Sequence, residues 1–371
     1  MSRFILGFMS TTSLLTPLRF PNGVTAKNRA WLAPMTNLQS HDDGSLSDDE
    51  LHWLTLRARG GFAVVETCAA HVAEDGQAWR GELGVFADRL LPGLARLAGT
   101  LADCGALGIV QLFHGGLRAD PQLTGGTTWS ASATEESGLS VPRPATEVDI
   151  RGVIGRFRDA AVRANAAGFA GVELHGAHGY LLGQFLSATQ NRRTDEWGGS
   201  WENRARLLRA TLRAVRSAVP GSFLVGVRLS PEDRGQAQGL DIDDNVVLSR
   251  WLVDDGADFI HLSLWDGANK STKHPDVHPL SLFRKAVEDR VVLVAAGNVW
   301  TRADAEALLR QGADAIALGR AAIANPDWPL RIADATWEPR RPPLTRAELR
   351  ERGLSEGFAG YMRRWKDFVA D

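Results

Sequence analysis

The sequence predicts an α/β protein with the fold of a (β/α)8, or TIM, barrel. From residue 29 onward, short apolar runs alternate with longer amphipathic stretches, the pattern typical of parallel βαβ units. Eight such runs occur, and eight units close naturally into a barrel. A doubly wound sheet is the alternative, but no Gly-x-Gly-x-x-Gly motif follows the first run. The barrel is therefore favoured.

The candidate strands are short apolar runs, each bounded by turn or helix signals. They cover, in chain order, residues 30–36, 62–69, 107–113, 170–175, 223–229, 259–264, 291–296 and 315–319. Ahead of them, Pro-Asn-Gly within residues 18–26 separates two short extended runs. This arrangement predicts an N-terminal hairpin.

The amphipathic stretches carry helix start and stop signals. Ser47 precedes three acidic residues in the stretch 47–60, and the stretch 203–220 ends at a proline. Most of the others stop at glycine, as helix C-termini prefer. These cover residues 90–105, 153–168, 243–256 and 302–312.

Three segments are expected along the chain. Residues 1–28 form an extension and the hairpin, residues 29–335 the barrel, and residues 336–371 a C-terminal helical extension. The stretch 357–369, GFAGYMRRWKDFV, is aromatic and basic. It predicts a helix that docks on the barrel or on another subunit, which would make a homo-oligomer. The first ten residues are too short an apolar run for a targeting segment.

Composition excludes several classes of function. There are 42 basic and 44 acidic residues, a net charge of −2, so no electrostatic footprint for nucleic acid or an anionic membrane is present. Two cysteines in 371 residues exclude a disulfide scaffold, a Cys-rich zinc site and an iron–sulfur cluster. No apolar stretch approaches the ~20 residues that span a bilayer. A cytoplasmic protein is expected.

The densest polar cluster is HGAHGY, residues 175–180, at the end of the fourth candidate strand. In a barrel the chemistry lies at the C-terminal ends of the strands, so His175, His178 and Tyr180 can face one cavity. Two imidazoles can bind a metal, with Glu173 as third ligand. They can also donate hydrogen bonds to an oxygen that gains negative charge. Hydrogen-bond donation is favoured, because no other strand end carries a matching His or Asp pair.

A second signal comes from the last two candidate strands. AAGNV (295–299) and ALGR (317–320) each lead into a helical stretch. Phosphate sites are commonly built at this point of a barrel. Gly297 and Gly319 would let the backbone approach a phosphate closely, and Arg320 would supply charge.

These motifs resemble those of the old yellow enzyme family, the FMN-dependent ene-reductases, over about residues 14–335. The most specific block is VELHGAHGYLLGQFLSATQNRRTDEWGGSWENR, residues 172–204. Weaker blocks follow the same order: NRAWLAPMT (28–36), QLFHGG (111–116), GVRLSPED (226–233), AAGNV and ALGRAAIANPDW. One departure is Leu117, where the family often has Arg, with Arg118 next.

The resemblance implies that FMN lies across the C-terminal mouth of the barrel. The residues expected to contact the flavin ring are Ala33, Pro34, Met35, Thr36, Thr67, Gln111 and Arg228. Those expected to hold the phosphate are Gly297, Asn298, Gly319 and Arg320. Arg228 would stabilise the negative charge of the reduced flavin, and Thr36 would lie near its O4 edge.

The resemblance also implies the reaction. NADH or NADPH would reduce the flavin, and the flavin would reduce the C=C bond of small α,β-unsaturated carbonyl compounds. His175 and His178 would hold the substrate carbonyl, and Tyr180 would donate the proton. Two alternatives remain open at this stage: a flavin-free metallohydrolase built on the two histidines, and a flavin-binding component without catalysis.

Overall fold

A computed structural model describes residues 13–126, 128–136 and 138–370. The predicted ten-residue N-terminal extension lies outside the described residues. The strands are β1 (Leu18–Arg19), β2 (Thr25–Ala26), β3 (Ala30–Leu32), β4 (Val64–His71), β5 (Leu107–Phe113), β6 (Trp129–Ser130), β7 (Arg143–Pro144), β8 (Gly171–Gly176), β9 (Leu224–Leu229), β10 (Phe259–Ser263), β11 (Val292–Ala296) and β12 (Ala315–Leu318).

Eight parallel strands close a barrel, which confirms the predicted fold class. Their order around the barrel is β3, β4, β5, β8, β9, β10, β11, β12 and back to β3. Each of the eight predicted runs overlaps one barrel strand, and β4 and β8 run two and one residues past the predicted ends. The first strand is shorter than predicted, because the chain leaves the barrel wall after Leu32 and residues 33–36 turn into the cavity at the strand ends.

Helices connect the barrel strands and cover the barrel. They are α1 (Asp48–Arg59), α2 (Leu91–Asp103), α3 (Glu147–Ala166), α4 (Leu181–Leu186), α5 (Trp201–Ala218), α6 (Ile242–Asp254), α7 (Pro279–Val287), α8 (Arg302–Arg310), α9 (Arg320–Ala324), α10 (Trp328–Arg331), α11 (Arg346–Glu351) and α12 (Glu356–Tyr361). Among the described residues, no helix is both long and apolar enough to cross a bilayer.

Two helix starts lie earlier in the chain than predicted, because a cap outside the apolar pattern sets each of them. Thr146 and Asp149 form a capping box that begins α3 at Glu147. Ser200 accepts a hydrogen bond from the backbone of Asn203 and begins α5 at Trp201.

The N-terminal hairpin is confirmed and closes one end of the barrel. β1 and β2 pair antiparallel, with Leu18 opposite Ala26. Phe20 from the hairpin packs on Trp31, which in turn packs edge to face on Phe259 at 5.2 Å. Gly226 makes room for this layer, because a Cβ there would lie 2.2 Å from the Phe259 ring. This aromatic layer fills one end of the barrel, and the polar residues of the site lie at the opposite end.

The prediction of one helix over 357–369 is wrong in its second half. α12 ends at Tyr361 and a short 3-10 turn follows. The tail then pairs with an upstream segment: Leu344 N–H donates to Phe368 O at 3.0 Å, and Ala370 N–H donates to Leu344 O at 2.8 Å. These bonds replace the helical ones within the extension. Phe358 packs on Trp53 of α1 at 5.5 Å and attaches the extension to its own barrel.

Candidate active site

A cavity of about 300 Å³ opens at the C-terminal ends of the barrel strands. Most of the predicted site residues line it: Ala33, Pro34, Met35, Thr36, His178, Arg228, Gly297, Asn298, Gly319 and Arg320. His175 and Tyr180 are not part of its wall: His175 packs on His178, and Tyr180 packs on His175. Thr67 and Gln111 do not belong to the wall of this cavity.

Two histidine rings at the end of β8 face each other. Nε2 of His175 lies 3.3 Å from Nδ1 of His178. The backbone N–H of Ala177 donates to Nδ1 of His175 at 3.3 Å, so the proton of His175 is on Nε2. That N–H therefore points toward His178. Burial, with the second histidine and Arg228, holds the pKa of His175 well below its ordinary value.

The second histidine is fixed by its backbone and by Ser263. His178 has φ 58°, in the left-handed region, and its backbone N–H donates to the Ser230 hydroxyl at 3.1 Å. Nε2 of His178 lies 2.7 Å from the Ser263 hydroxyl. Burial and the nearby Arg228 keep the pKa of His178 well below its ordinary value. Both rings are therefore neutral hydrogen-bonding groups at neutral pH.

Tyr180 sits on the turn between β8 and α4. Gly179 precedes it with φ 69°, and a Cβ there would lie 2.5 Å from the carbonyl oxygen of Gln236. The turn therefore needs glycine. The Tyr180 ring packs edge to face on His175 at 5.0 Å and on Phe113 at 4.5 Å. Burial, reinforced by Glu82, raises the pKa of Tyr180 above its ordinary value, so the hydroxyl keeps its proton.

Arg228 provides the positive charge of the cavity wall. Its Nη2 donates to the Ser263 hydroxyl at 3.2 Å, and its Nη1 donates to the carbonyl oxygen of Pro34 at 3.4 Å. Burial lowers the pKa of Arg228, and Glu173 and Glu66 oppose that shift. The Arg228 guanidinium nevertheless remains positively charged at neutral pH, because an arginine side chain does not lose its proton in proteins.

Thr67 and Gln111, which also lie off the wall, are held by internal bonds. The Thr67 hydroxyl donates to the carbonyl oxygen of Cys68 at 2.7 Å and accepts from the backbone N–H of Gln111 at 3.3 Å. The side-chain amide of Gln111 donates to Glu173 at 2.7 Å. A carboxylate only accepts hydrogen bonds, so the Gln111 carbonyl oxygen points away from Glu173.

The ends of β11 and β12 meet at the rim of the cavity. Nη2 of Arg320 donates to Oδ1 of Asn298 at 3.1 Å, and the Asn298 amide donates to Asp266 at 3.0 Å. A Cβ at Gly319 would lie 3.4 Å from Sδ of Met35, while one at Gly297 would lie 2.8 Å from Cβ of Leu264. Gly297 is therefore required by packing, and Gly319 keeps the cavity open.

Several residues of the site received no individual role from the sequence. Ser263 ends β10 and links Arg228 to His178. Aromatic and apolar side chains from the loops after β10 and β11 and from the C-terminal extension also form walls of the cavity: Trp265, Trp300, Phe358, Tyr361, Met362 and Trp365. The aromatic density of residues 357–369 was the available signal, but it did not indicate which cavity those rings would line.

Arg118 stabilises the turn between β8 and α4 that carries His178 and Tyr180. Its Nη1 donates to the carbonyl oxygen of Gly179, and its Nη2 bonds Glu136 at 2.7 Å. The departure at Leu117 and Arg118 therefore supplies a guanidinium to the backbone of the turn that carries Tyr180.

Comparison with known proteins identifies the family. Residues 13–337 match the NADH:flavin oxidoreductase / NADH oxidase family. The chain belongs to this family. It is 35% identical over 328 residues to a probable NADH-dependent flavin oxidoreductase, YqiG, of Bacillus subtilis (strain 168), covering 86% of this chain and 88% of that protein.

Solved structures and a second relative agree with this assignment. The old yellow enzyme homologue of Zymomonas mobilis superposes with a TM-score of 0.80 at 27% identity, covering 94% of this chain and 98% of that chain. An NADH:fumarate oxidoreductase of Klebsiella pneumoniae (strain 342) is 37% identical over 339 residues and 87% of this chain. The chain spans only 36% of that protein's length. The predicted old yellow enzyme family is confirmed.

Family membership makes this protein an NAD(P)H-dependent flavin oxidoreductase with FMN as its cofactor. The residues present fit that group. Arg228 supplies a buried positive charge for an electron-rich ring, Arg320 supplies one at the rim for a phosphate, and the missing side chain of Gly319 keeps the space between them free. The metal alternative is not supported, because the described residues with metal-ligand spacing are Glu66, Glu173 and His261, without either His175 or His178.

Proposed function

We propose that this flavoenzyme is an ene-reductase that reduces the C=C bond of α,β-unsaturated carbonyl compounds with electrons from NADH or NADPH. One observation carries the proposal: His178 on the cavity wall faces His175, with Nδ1 and Nε2 3.3 Å apart, and Tyr180 packs on His175. Two adjacent N–H donors suit a carbonyl oxygen that gains negative charge during the reaction. FMN, when bound, would supply the hydride.

His175 and His178 would hold the substrate oxygen. Nε2–H of His175 is one donor. His178 becomes the second donor when its proton is on Nδ1 and its Nε2 accepts from the Ser263 hydroxyl. Because both imidazoles are neutral, they would stabilise the developing enolate without protonating it. Each such donor contributes about 3 kcal/mol to lowering a barrier.

Tyr180 would complete the reduction by protonating the α-carbon of the substrate. Its raised pKa keeps the hydroxyl protonated at neutral pH. A weak acid is sufficient, because an enolate carbon is a strong enough base to take a proton from a phenol. The histidines would therefore stabilise the substrate oxygen, and Tyr180 would protonate the α-carbon.

The remaining predicted residues are proposed to hold the cofactor. Thr36 and Arg228 would contact the flavin ring, together with Ala33, Pro34 and Met35. Gly297, Asn298, Gly319 and Arg320 would surround the phosphate. Thr67 would fix the backbone of Gln111 by accepting a hydrogen bond from its N–H. Gln111 would contact the flavin ring with its side-chain carbonyl oxygen.

The barrel, its surface and its extensions suggest further properties. We propose small activated alkenes as substrates. The C-terminal extension packs on its own barrel. A homo-oligomer formed through the outer face of this extension remains a prediction, as do the domain limits 29–335 and the cytoplasmic location.

A catalytically silent flavin-binding component is less well supported, because a binder needs no protonated tyrosine beside a donor pair.

The experiment is an anaerobic separation of the two half-reactions. The FMN-loaded protein is reduced with NADH or NADPH, and flavin absorbance is followed while 2-cyclohexenone is added. Reoxidation with formation of cyclohexanone supports the proposal. His175→Ala and His178→Ala should slow reoxidation, whereas His52→Ala, an exposed histidine on α1, should not. Reduction of the flavin without any reoxidation by enones would contradict the proposal.

A further inference from the structure

A cluster of ionisable side chains lies inside the barrel, one layer deeper than the histidine pair. Glu66, Glu173 and His261 come from β4, β8 and β10, and their side chains are fully buried. Their nearest ligand-type atoms lie within 4.8 Å of one another. Glu173 and His261 stand two residues before His175 and Ser263 on the same strands, so they point to the same interior.

The polar atoms of this cluster differ in how many hydrogen bonds they form. Glu173 accepts from Gln111 Nε2 at 2.7 Å and pairs with His261 Nδ1 at 2.8 Å. Since an ionised carboxylate can only accept, His261 carries its proton on Nδ1. Within the part of the chain that the structure describes, its Nε2 has no hydrogen-bond partner, and neither carboxyl oxygen of Glu66 has one. Oε1 of Glu66 lies 3.7 Å from Nδ1 of His261.

The charges around the cluster allow only one ionised carboxyl group. Among the described residues, Arg228 on β9 is the cation that faces it. Burial lowers the pKa of His261 in the cluster and those of His175 and His178 above it, so these three rings are neutral. Two buried carboxylates beside one guanidinium would leave a net negative charge inside the barrel, at a high desolvation cost. Burial, with Glu173, raises the pKa of Glu66 well above its ordinary value. Glu173 keeps the ionised form because His261, Arg228 and Gln111 stabilise it against burial.

We propose that Glu66 retains a proton at neutral pH beside the ionised Glu173, and that this buried acid pair is a positioning site for the flavin pocket. It balances the charge of Arg228 and holds Gln111 with its carbonyl oxygen turned toward the cofactor. The assignment of Gln111 and Arg228 to the flavin rests on the proposed function. The retained proton does not.

A metal ion is the competing occupant, because two carboxylates and an imidazole are also metal ligands. The hydrogen bonds favour the proton. Nδ1 of His261 is already committed to Glu173, and Gln111 occupies the other Glu173 oxygen. A metal would have to displace both bonds beside a guanidinium. A proton on Glu66 leaves both of these hydrogen bonds in place.

Infrared difference spectroscopy of the FMN-loaded protein tests the retained proton directly. The variants are Glu66→Gln, which mimics the protonated acid, and Glu202→Gln, an exposed carboxylate at the start of α5. At neutral pH, Glu66→Gln should lose one carbonyl band of a protonated carboxylic acid relative to the parent. Glu202→Gln should lose only carboxylate bands. A Glu66→Gln spectrum that loses carboxylate bands instead would overturn the proposal.

The reduction potential of the bound flavin tests the positioning role. Glu66→Gln should keep the parent potential at neutral pH, because it replaces a neutral group with a neutral group. Glu173→Gln should raise the potential, because it leaves Arg228 unbalanced. A potential lowered by Glu66→Gln, or unmoved by Glu173→Gln, would contradict this role. Stoichiometric zinc or manganese that Glu66→Gln removes would overturn the proton site, whatever the enone activity.

Discussion

The hydroxyl of Ser263 lies 2.7 Å from Nε2 of His178. The same oxygen accepts a hydrogen bond from Arg228 at 3.2 Å, so the Ser263 proton is free to turn toward His178. When it does, the proton of His178 moves to Nδ1, which faces Nε2–H of His175. A carbonyl oxygen between the rings would then receive two donors. Ser263 therefore decides whether His178 can act as the second donor.

The first prediction concerns this serine. Ser263→Ala should weaken the binding of a substituted phenol to the oxidised enzyme about tenfold, the effect of losing one hydrogen bond of ~1.4 kcal/mol. Ser263→Thr keeps the hydroxyl and should retain most of the affinity. Titration by flavin absorbance gives both dissociation constants. Equal affinities for the alanine variant and the parent would mean that His178 is oriented without Ser263.

The second prediction concerns the proposed phosphate site. Arg320 is exposed at the cavity rim and its guanidinium is held by Asn298. Arg320→Ala should therefore weaken FMN retention by roughly tenfold or more, the loss of one charge-assisted contact, and leave the fold intact. Arg310→Ala, an exposed arginine in the last turn of α8, serves as the control. Flavin content after extensive dialysis measures the effect, and full retention in Arg320→Ala would place the phosphate elsewhere.

The barrel was predictable because its signal is local and repeated. Each strand is a short apolar run with a helix after it, and the strand of residues 107–113 was predicted to the residue. Helix starts that depend on a single cap, such as Thr146 for α3, shifted by several residues. The end of the C-terminal extension was mispredicted, since its backbone pairs with Leu344 rather than with itself. Such pairing is set by tertiary contact and has no local pattern.

The candidate site was predictable where chemistry is concentrated in one motif. His175, His178 and Tyr180 lie within six residues, and the turn that joins them brings them together. Contacts between distant strands were not predictable. Ser263 is an ordinary residue at a strand end, and only the register of β9 and β10 places it between Arg228 and His178. Glu66 also gave no signal, because its role depends on Glu173 across the barrel interior.

The third prediction concerns acid stability. Burial holds the pKa of His71 at about 3, against an ordinary value of 6.5. Below pH 6.5 the unfolded chain takes up a proton at this residue and the folded chain does not, so the folded state loses stability as the pH falls toward 3. His71 alone should contribute a tenfold rise in the unfolding equilibrium constant per pH unit in that range.

His71→Gln removes this titration while keeping a polar side chain. Urea unfolding at pH 7, 6 and 5 should show a shallower loss of stability in the variant than in the parent. His41→Gln, an exposed histidine, should follow the parent. If the free energy of unfolding falls with pH in parallel for His71→Gln and the parent, then His71 takes up its proton in the folded protein near its ordinary pKa.

The last prediction concerns the proton donor. Tyr180→Phe keeps the ring that packs on His175 and Phe113 and removes only the hydroxyl. Hydride transfer to the flavin from NADH or NADPH does not use this proton, so that half-reaction should be nearly unchanged. Phenol binding at the histidine pair should also persist, because both N–H donors remain.

Reoxidation by 2-cyclohexenone should fall by about 10²–10⁴-fold in Tyr180→Phe, the range typical of losing a positioned acid. A nitroalkene provides the internal control, because its nitronate product survives without immediate protonation and its reduction should be much less affected. Rapid mixing under anaerobic conditions measures the two half-reactions separately. If Tyr180→Phe slows flavin reduction, or leaves enone reduction intact, the proton must come from another group, and water that enters through the cavity becomes the next donor to test.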